Sequence, residues 1–267
     1  MVTMPDEDLE ELVRFTHHLA DISTGIALKF FRSPIEVENK GESSAFDPVT
    51  EADRGIERAV RNAINARWPH HGIEGEEFAT QAGDGPYRWT IDPIDGTRAF
   101  VAGFPTWGTL IGLSRASRPM IGMMSQPFTG ERFWATPTST HYRGPGGEMQ
   151  VSTRRCPSLE QATFSTTAPE LFADGFETTG LAKITARARI TRYGGDCYAY
   201  CLLAAGHIDL VVEANLKPFD IAPLIPIVES AGGRITSWQG GDASGGGRAV
   251  AAGDAELHEQ VLEILQG

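Results

Sequence analysis

Two segments near the start of the chain repeat apolar residues at the spacing of an amphipathic helix. Residues 6–31 and 50–67 therefore predict two helices, the second of which is ended by Pro69 and Gly72. Between them, residues 34–46 have the pattern of a β-hairpin with a Lys-Gly step near its tip. The face of the first helix that we expect to be buried contains Leu9, Leu12, Val13, Phe15, Leu19, Ile22 and Ile26.

Short apolar runs at strand spacing then replace the helical repeat. The predicted strands cover residues 88–92, 108–114, 120–126 and 131–136. A Gly-Pro-Gly-Gly cluster at 144–147 is the best candidate for a domain boundary. Beyond it, strands near 162–167, 188–192, 208–213, 234–238 and 248–252 alternate with helices near 169–181, 196–206, 220–231 and 254–265. This order predicts an α+β half, residues 1–146, joined to an α/β half, residues 147–267.

The composition is that of a folded protein with no membrane segment. The chain has 267 residues, enough for one large domain or two of ordinary size, and 41% of them are hydrophobic. No run approaches the roughly 20 apolar residues that span a bilayer, and the acidic N-terminus is unlike a signal peptide. The three cysteines give no even disulfide framework, and Cys197 and Cys201 are expected in the core. We therefore expect a cytoplasmic protein.

Residues 89–97, WTIDPIDGT, place two carboxylates around a Pro-Ile step at the end of a predicted strand. The proline and the following glycine force an irregular turn. In that turn Asp92, Asp95 and the carbonyl group of Ile94 can point at one spot. Hard divalent cations prefer this mixture of carboxylate and carbonyl oxygens. A single aspartate in a turn is usually only a turn former, so the prediction of a metal site depends on acidic residues elsewhere.

Three further motifs place acidic residues at the ends of predicted elements. Glu76 follows an apolar run in GIEGEEF, Asp53 lies in the first turns of the second helix, and Asp220 begins a later helix. Acidic residues at helix starts often serve the helix macrodipole, which is worth about 0.3–1 kcal/mol each. Four motifs of this kind in one chain are hard to attribute to capping, and together they indicate a metal centre.

The ligand types and the charge favour Mg²⁺, with Mn²⁺ as an alternative. The seven histidines show no metal-ligand spacing, so zinc is not expected. The net charge of −12 argues against nucleic acid as the main ligand. It would also repel an anionic substrate, unless divalent cations invert the field at the carboxylates. An acidic protein that acts on phosphate therefore requires metal.

The order DPVTEAD, GEE, DPIDGT and a late aspartate at a helix start resembles the inositol monophosphatase family. These are Mg²⁺-dependent, lithium-sensitive phosphatases of small phosphate monoesters. The resemblance extends from residue 47 to residue 233, and it implies a layered α-β-α-β-α sandwich, two or three Mg²⁺ ions and a homodimer. In the last motif Phe219 stands before Asp220, where most members have tryptophan; the change affects the packing around the aspartate and keeps the carboxylate.

The resemblance also implies a role for each motif residue. The metal ligands would be Glu76, Asp92, the Ile94 carbonyl, Asp95 and Asp220. Thr97 and Asp53 would orient and deprotonate the attacking water, with Glu76 assisting. The backbone N–H groups of Gly96 and Thr97 would bind phosphate if a helix begins there. Phosphatases with an aspartyl nucleophile need two aspartates one residue apart, whereas Asp92 and Asp95 are three apart, so no covalent intermediate is expected.

Substrate choice is expected to depend on the second half of the chain. The stretches GGDCYAY (194–200), DLVVEANLKPFD (209–220) and IPIVESAGG (225–233) look most like histidinol-phosphate phosphatases. Asp196 and Glu213 are the acids expected to face the organic part of the substrate. They would suit the ammonium and imidazole groups of L-histidinol phosphate, although a polyol could also donate to them. The alternatives are a helix N-cap for Asp196 and a plain surface position for Glu213.

Three functions are therefore considered. The first is Mg²⁺-dependent hydrolysis of L-histidinol phosphate to L-histidinol, which belongs to histidine biosynthesis. The second is the same chemistry on inositol monophosphates, fructose bisphosphate or adenosine 3′,5′-bisphosphate. The third is a regulatory binding protein on a phosphatase scaffold, for which a lost metal ligand or a basic face would be the cue. All ligand positions are filled and the chain is acidic, so an enzyme with a small phosphorylated substrate is expected.

Overall fold

The structure, a computed structural model, describes residues 8–33, 37–39 and 48–267, with the backbone alone for residues 37–39 and 48–50. The helices are α1 (Leu9–Phe30), α2 (Glu51–Arg67), α3 (Thr97–Ala102), α4 (Phe176–Arg187), α5 (Asp196–Ala204), α6 (Pro218–Ile221), α7 (Leu224–Glu229) and α8 (Ala255–Gln266). The strands are β1 (Val37–Asn39), β2 (Pro48–Thr50), β3 (Gly72–Gly75), β4 (Tyr87–Asp95), β5 (Gly108–Arg115), β6 (Arg118–Gln126), β7 (Glu131–Thr136), β8 (Ser139–Gly144), β9 (Gly147–Val151), β10 (Thr163–Thr166), β11 (Ile190–Tyr193), β12 (Leu210–Leu216), β13 (Arg234–Ser237) and β14 (Gly247–Ala252). None of the described helices combines the length and apolarity needed to cross a membrane.

The first sheet has seven strands in the order β3-β4-β5-β6-β7-β8-β9. β3 runs parallel to β4, and every later neighbour is antiparallel. Short turns join the strands from β5 to β9, as is usual for antiparallel neighbours, whereas α3 lies between β4 and β5. The apolar face of α1 and the apolar face of α2 both pack against this sheet. The two helices predicted from the 3.6-residue repeat are therefore confirmed, and they form the outer layer of the first half.

The second sheet has five strands in the order β11-β10-β12-β14-β13 and is mixed. Adjacent residues of the central strand β12 face different hydrophobic cores. Val211 packs toward the first sheet, and Val212 packs toward α4 and α8. Helices α5 and α7 lie between the two sheets, where they share a core with Leu110 of β5. The layers therefore follow the order α-β-α-β-α, which confirms the predicted fold class.

Two predicted helices differ from the observed ones because of proline and glycine. A single 3₁₀ turn occupies Pro169–Leu171, and α4 begins only after Gly175, whose φ is 89°; the prediction of one helix near 169–181 is wrong. The helix predicted near 220–231 is divided into α6 and α7. Pro223 and Pro226 lack the N–H groups that would continue the hydrogen-bond ladder.

The first sheet extends further along the chain than the sequence pattern predicts. Strands β3, β8 and β9 were not predicted because they are short, and β8 and β9 are largely polar. The cluster at 144–147 is the turn of the β8–β9 hairpin, so the sheet continues to Val151. The predicted division at residue 146 falls inside this hairpin. Of the hairpin predicted over 34–46, only β1 lies within the described residues, where it pairs with β2.

The two halves meet most closely where α7 approaches β6. A Cβ atom added to Gly122 of β6 would lie 1.8 Å from the carbonyl oxygen of Pro223. Pro223 immediately precedes α7, and it lies three residues after Asp220 of α6. The absence of a side chain at Gly122 therefore fixes how closely the segment that carries Asp220 can approach the first sheet.

Gly122→Ala is expected to lower the free energy of unfolding by about 2–3 kcal/mol, because the added methyl group overpacks this contact. Gly25→Ala is the matched control: Gly25 lies on the exposed face of α1 with no atom within 4 Å of an added Cβ, and the substitution should stabilise the protein by up to about 1 kcal/mol. Urea unfolding of both variants measures the difference. Equal stability of Gly122→Ala and the wild type would contradict the proposed contact.

Candidate active site

Three carboxylates from both halves of the chain converge at one point. One oxygen atom from each of Asp92, Asp95 and Asp220 lies within 4.8 Å of the others. Asp92 and Asp95 stand at the end of β4, where the pairing with β5 is interrupted between these two residues. An irregularity of this kind redirects side chains at the end of a strand. Here it allows two aspartates three residues apart to face the same point.

The turn that follows β4 is held by hydrogen bonds to its own backbone. The N–H group of Ile94 donates to Oδ1 of Asp92 at 3.1 Å, and Oγ1 of Thr97 donates to the carbonyl oxygen of Ile94 at 3.0 Å. The Oγ1 atom of Thr109 donates to the Pro93 carbonyl at 2.8 Å. These contacts fix the turn before any ligand binds, so the oxygens predicted as metal ligands are preorganised.

Gly96 is required in this turn for two reasons. Its φ of 82° lies in the left-handed region, and an added Cβ would stand 3.1 Å from Cγ of Asp196. The first turn of α5 therefore packs directly on the β4 turn. The N–H group of Cys197 donates to Oδ2 of Asp95 at 2.7 Å, which ties the second half of the chain to the cluster.

Asp220 is positioned by the start of its own short helix. Its Oδ2 atom accepts a hydrogen bond from the N–H group of Lys217 at 2.7 Å, in the arrangement of a capping box. The capping function of Asp220 and its place in the cluster are compatible, because a carboxylate has two oxygens. Both the capping alternative and the predicted place in the cluster therefore hold for this residue.

The electrostatics of the cluster favour protonated acids when no cation is bound. Burial, followed by the negative charge of Glu76, raises the pKa of Asp92 well above its usual range. Burial and the charge of Asp196 do the same to the pKa of Asp95. The pKa of Asp220 rises to about 7, with burial as the largest cause. A divalent cation would remove this repulsion, and the all-oxygen donor set suits Mg²⁺.

Glu76 is not one of the three converging carboxylates, but it lies close enough for its charge to raise the pKa of Asp92, after burial. A clamp that the sequence analysis missed holds its turn. The turn that carries it follows β3, and Glu57 of α2 accepts hydrogen bonds from the N–H groups of Glu77 at 2.7 Å and Phe78 at 3.3 Å. Arg61 donates to Glu57 at 2.7 Å and to the carbonyl oxygen of Phe78 at 3.1 Å. The segment that directly follows Glu76 is thus attached to one helix.

The same helix carries Asp53, which is buried four residues before Glu57 and so lies on the same face. The charge of Asp53 contributes to the raised pKa of Asp92, so the two side chains are close. Helix α2 therefore positions both acids that sequence motifs placed near the metal site. The only signal for the clamp in the sequence is the Glu57–Arg61 pair at helical spacing, which is common on solvated faces.

A cavity of about 130 Å³ opens beside the cluster. Its walls include Asp95, Asp220, Asp196, Glu213 and Tyr200. Glu213 is 2% exposed, so the surface alternative for it is wrong. Asp196 follows Gly195, which is the N-cap of α5, so the N-cap alternative for Asp196 is also wrong.

Glu213 is buried without a cationic partner among the described residues. It accepts hydrogen bonds from the N–H group and Oγ1 of Thr167 at 2.7 and 2.9 Å and from Oγ1 of Thr166 at 3.3 Å. Burial raises the pKa of Glu213 to about 8 and the pKa of Asp196 to about 6. The cavity thus contains two acids whose ionisation depends on what binds beside them.

Comparison with known proteins identifies the family of this chain. Residues 8–267 match the inositol monophosphatase family. The chain belongs to that family. Its members are Mg²⁺-dependent phosphatases, and this protein is a phosphoric monoester hydrolase. The acidic cluster is therefore the candidate metal site of a phosphatase, as the order of motifs indicated.

Relatives of this chain are named for different phosphatase activities. A histidinol-phosphatase of Streptomyces coelicolor is 34% identical over 98% of this chain and 98% of its own length. A chloroplastic bifunctional phosphatase of Arabidopsis thaliana is 38% identical over 98% of this chain and 77% of its own length. The solved structure of an inositol monophosphatase from Zymomonas mobilis has 40% identity and a TM-score of 0.86, covering 98% of this chain and 100% of that one.

Asp92→Asn should have opposite effects on activity and on the stability of the metal-free protein. The substitution removes one of several repelling carboxylates, so the melting temperature in chelator should rise. Turnover and the stabilisation by Mg²⁺ should both be lost, since ligand binding to the folded state is what raises the melting temperature. Thermal unfolding with and without Mg²⁺ and phosphate release measure these effects. Near-normal turnover would contradict the assignment of Asp92.

Glu213→Gln should change stability in a pH-dependent way. The raised pKa of about 8 means that the folded state favours the protonated acid. This preference adds to the stability of the folded state below the unfolded pKa near 4.5, and the added stability is lost as the pH rises through 8. The glutamine variant stays neutral. Its melting temperature, measured in chelator, should therefore rise relative to that of the wild type as the pH is raised from 5 to 9. Glu263→Gln, on the exposed side of α8, is the control. A difference that does not vary with pH would contradict the raised pKa.

Proposed function

We propose that this phosphatase hydrolyses L-histidinol phosphate to L-histidinol and phosphate. The observation that carries the proposal is the pairing of Asp196 and Glu213 in the cavity beside the acidic cluster. The cluster would hold the phosphate end of the substrate through Mg²⁺, and the two further acids would face its organic end. An organic group with positive charge matches that end of the cavity.

The buried position of Glu213 favours a cation over a neutral polyol. A nearby positive charge stabilises the carboxylate form and lowers its pKa, so a bound ammonium group would ionise Glu213 and form charge-assisted hydrogen bonds. A polyol hydroxyl can donate to the same oxygens, but it offers no charge to offset burial of the carboxylate. The L-histidinol moiety carries both an ammonium and an imidazole group, which is why it is preferred here.

The roles of the chain's own residues follow from their positions. We assign Glu76, Asp92, the Ile94 carbonyl, Asp95 and Asp220 as the oxygen ligands of two or three Mg²⁺ ions. When bound, Mg²⁺ neutralises the phosphate charge and lowers the pKa of water near the phosphorus atom. The hydroxyl of Thr97 donates to the Ile94 carbonyl, so its oxygen is left to accept a hydrogen bond from the attacking water and orient it.

Proton transfer completes the proposed reaction. Asp53, buried on α2, accepts the proton of the attacking water, and Glu76 assists from the adjacent turn. The backbone N–H groups of Gly96 and Thr97 face the phosphate oxygens. The new P–O bond forms from water as the ester P–O bond breaks. The leaving oxygen takes a proton from solvent and departs as the alcohol, and Asp53 returns its proton to solvent. The products are L-histidinol and inorganic phosphate, with no covalent enzyme intermediate.

A second candidate is an inositol monophosphate, or a broader set of phosphate monoesters. It is supported by the inositol monophosphatase from Zymomonas mobilis, which is 40% identical to this chain. The hydroxyl groups of inositol could donate to Asp196 and Glu213. A homodimer and a cytoplasmic location are parts of the same proposal, and both derive from the family resemblance and the composition.

Phosphate release with Mg²⁺ distinguishes the two substrates. We expect kcat/KM for L-histidinol phosphate to exceed that for myo-inositol 1-phosphate by about 100-fold, which is about 2.7 kcal/mol of transition-state discrimination. Asp92→Asn, purified in parallel, provides the blank for contaminating phosphatases. Comparable or reversed values would reject L-histidinol phosphate as the preferred substrate, while the metal-dependent chemistry would stand.

A further inference from the structure

One buried hydroxyl beside the cavity has no role in the site described so far. Tyr200 of α5 is 2% exposed and lines the 130 Å³ cavity. Its hydroxyl group is closed to solvent and has no hydrogen-bond partner among the described residues. Buried tyrosine hydroxyls usually find a partner, because leaving such a group unpaired is unfavourable. The exception therefore requires an explanation.

Two neighbouring tyrosines, by contrast, both have a hydrogen-bond partner. The hydroxyl of Tyr198, two residues earlier on α5, donates to Glu131 at 2.6 Å. The hydroxyl of Tyr142 on β8 donates to the same carboxylate at 2.9 Å. Tyr198 faces the sheet side of the helix, whereas Tyr200 faces the cavity. The unsatisfied hydroxyl thus belongs to the tyrosine that lines the cavity.

Tyr200 lies on the same face of α5 as Asp196, because the two are four residues apart. Burial, followed by the negative charges of Glu213, Asp95 and Asp220, raises the pKa of the Tyr200 hydroxyl, and all three carboxylates line the cavity. The phenol therefore stays neutral, and its oxygen is free to accept a hydrogen bond. Asp196, Tyr200 and Glu213 together form a polar wall of the cavity.

We propose that Tyr200 is a substrate-binding residue whose hydroxyl oxygen accepts a hydrogen bond from an organic cation, next to Asp196 and Glu213. An ammonium group has three N–H donors and no acceptor, so it is matched by three acceptors of this kind. The inference rests on the proposed function, since it assigns to Tyr200 the nitrogen-bearing end of the substrate. It adds a determinant of specificity that the charged residues alone do not provide.

Tyr200→Phe tests the proposal with little change of shape. The substitution removes a hydroxyl that has no partner in the free protein, so the melting temperature should be unchanged or higher. The ratio of kcat/KM for L-histidinol phosphate to kcat/KM for p-nitrophenyl phosphate, which shares only the phosphate group, should fall about tenfold, mainly through KM. The Mg²⁺ concentration for half-maximal activity should not change.

Tyr198→Phe is the matched control on the same helix. It breaks a satisfied hydrogen bond, so it should lower the melting temperature and leave the substrate ratio at the wild-type value. An unchanged ratio in Tyr200→Phe would overturn the inference. So would an equal shift in both variants, which would indicate displacement of α5, or a shift in Mg²⁺ dependence alone, which would place the hydroxyl at the metal ligands.

The wild type separates this inference from the proposed function. If the wild type prefers myo-inositol 1-phosphate, the proposed substrate and the cation contact are both rejected. If the wild type prefers L-histidinol phosphate and Tyr200→Phe retains the full ratio, the substrate stands and only the role of Tyr200 fails. A preference for L-histidinol phosphate that falls about tenfold in Tyr200→Phe and persists in Tyr198→Phe supports both the proposed substrate and the role of Tyr200.

Discussion

Repulsion among buried carboxylates is the constraint on which the arrangement of this protein depends. One oxygen atom from each of Asp92, Asp95 and Asp220 lies within 4.8 Å of the others, and burial opposes ionisation of each acid. Such a cluster opposes folding of the metal-free chain at neutral pH. The rest of the fold determines the position of each acid, and a cation bound there would convert the repulsion into attraction.

Each of the three aspartates is restrained by one backbone N–H group from a different segment. Ile94 donates to Asp92 within the β4 turn, Cys197 donates to Asp95 from α5, and Lys217 donates to Asp220 at the start of α6. One oxygen of each carboxylate is thereby oriented by a neutral backbone donor. The layered packing serves this purpose, since α5 and α6 reach the cluster only when both sheets and the helices between them are in place.

The sequence predicted the acids of the site better than the structure that supports them. Asp92 and Asp95 belong to one short motif, and Asp53, Glu76 and Asp220 stand at element ends where local patterns are readable. The clamp at Glu57 and the buried hydroxyl of Tyr200 could not be predicted from the sequence, because both depend on contacts with residues that are distant in the chain. The polar strands β8 and β9 were missed for a related reason: their stability comes from pairing, not from an apolar repeat.

Proton release on Mg²⁺ binding tests the central claim most directly. Calorimetric titration of the metal-free protein at pH 7, in buffers of different ionisation enthalpy, counts the protons released per protein. Because the pKa values of the three aspartates are raised, Mg²⁺ must displace protons from the cluster, and the release should fall as the pH is raised and should be smaller in Asp220→Asn. Tight binding of Mg²⁺ at pH 7 with no proton release would contradict the account.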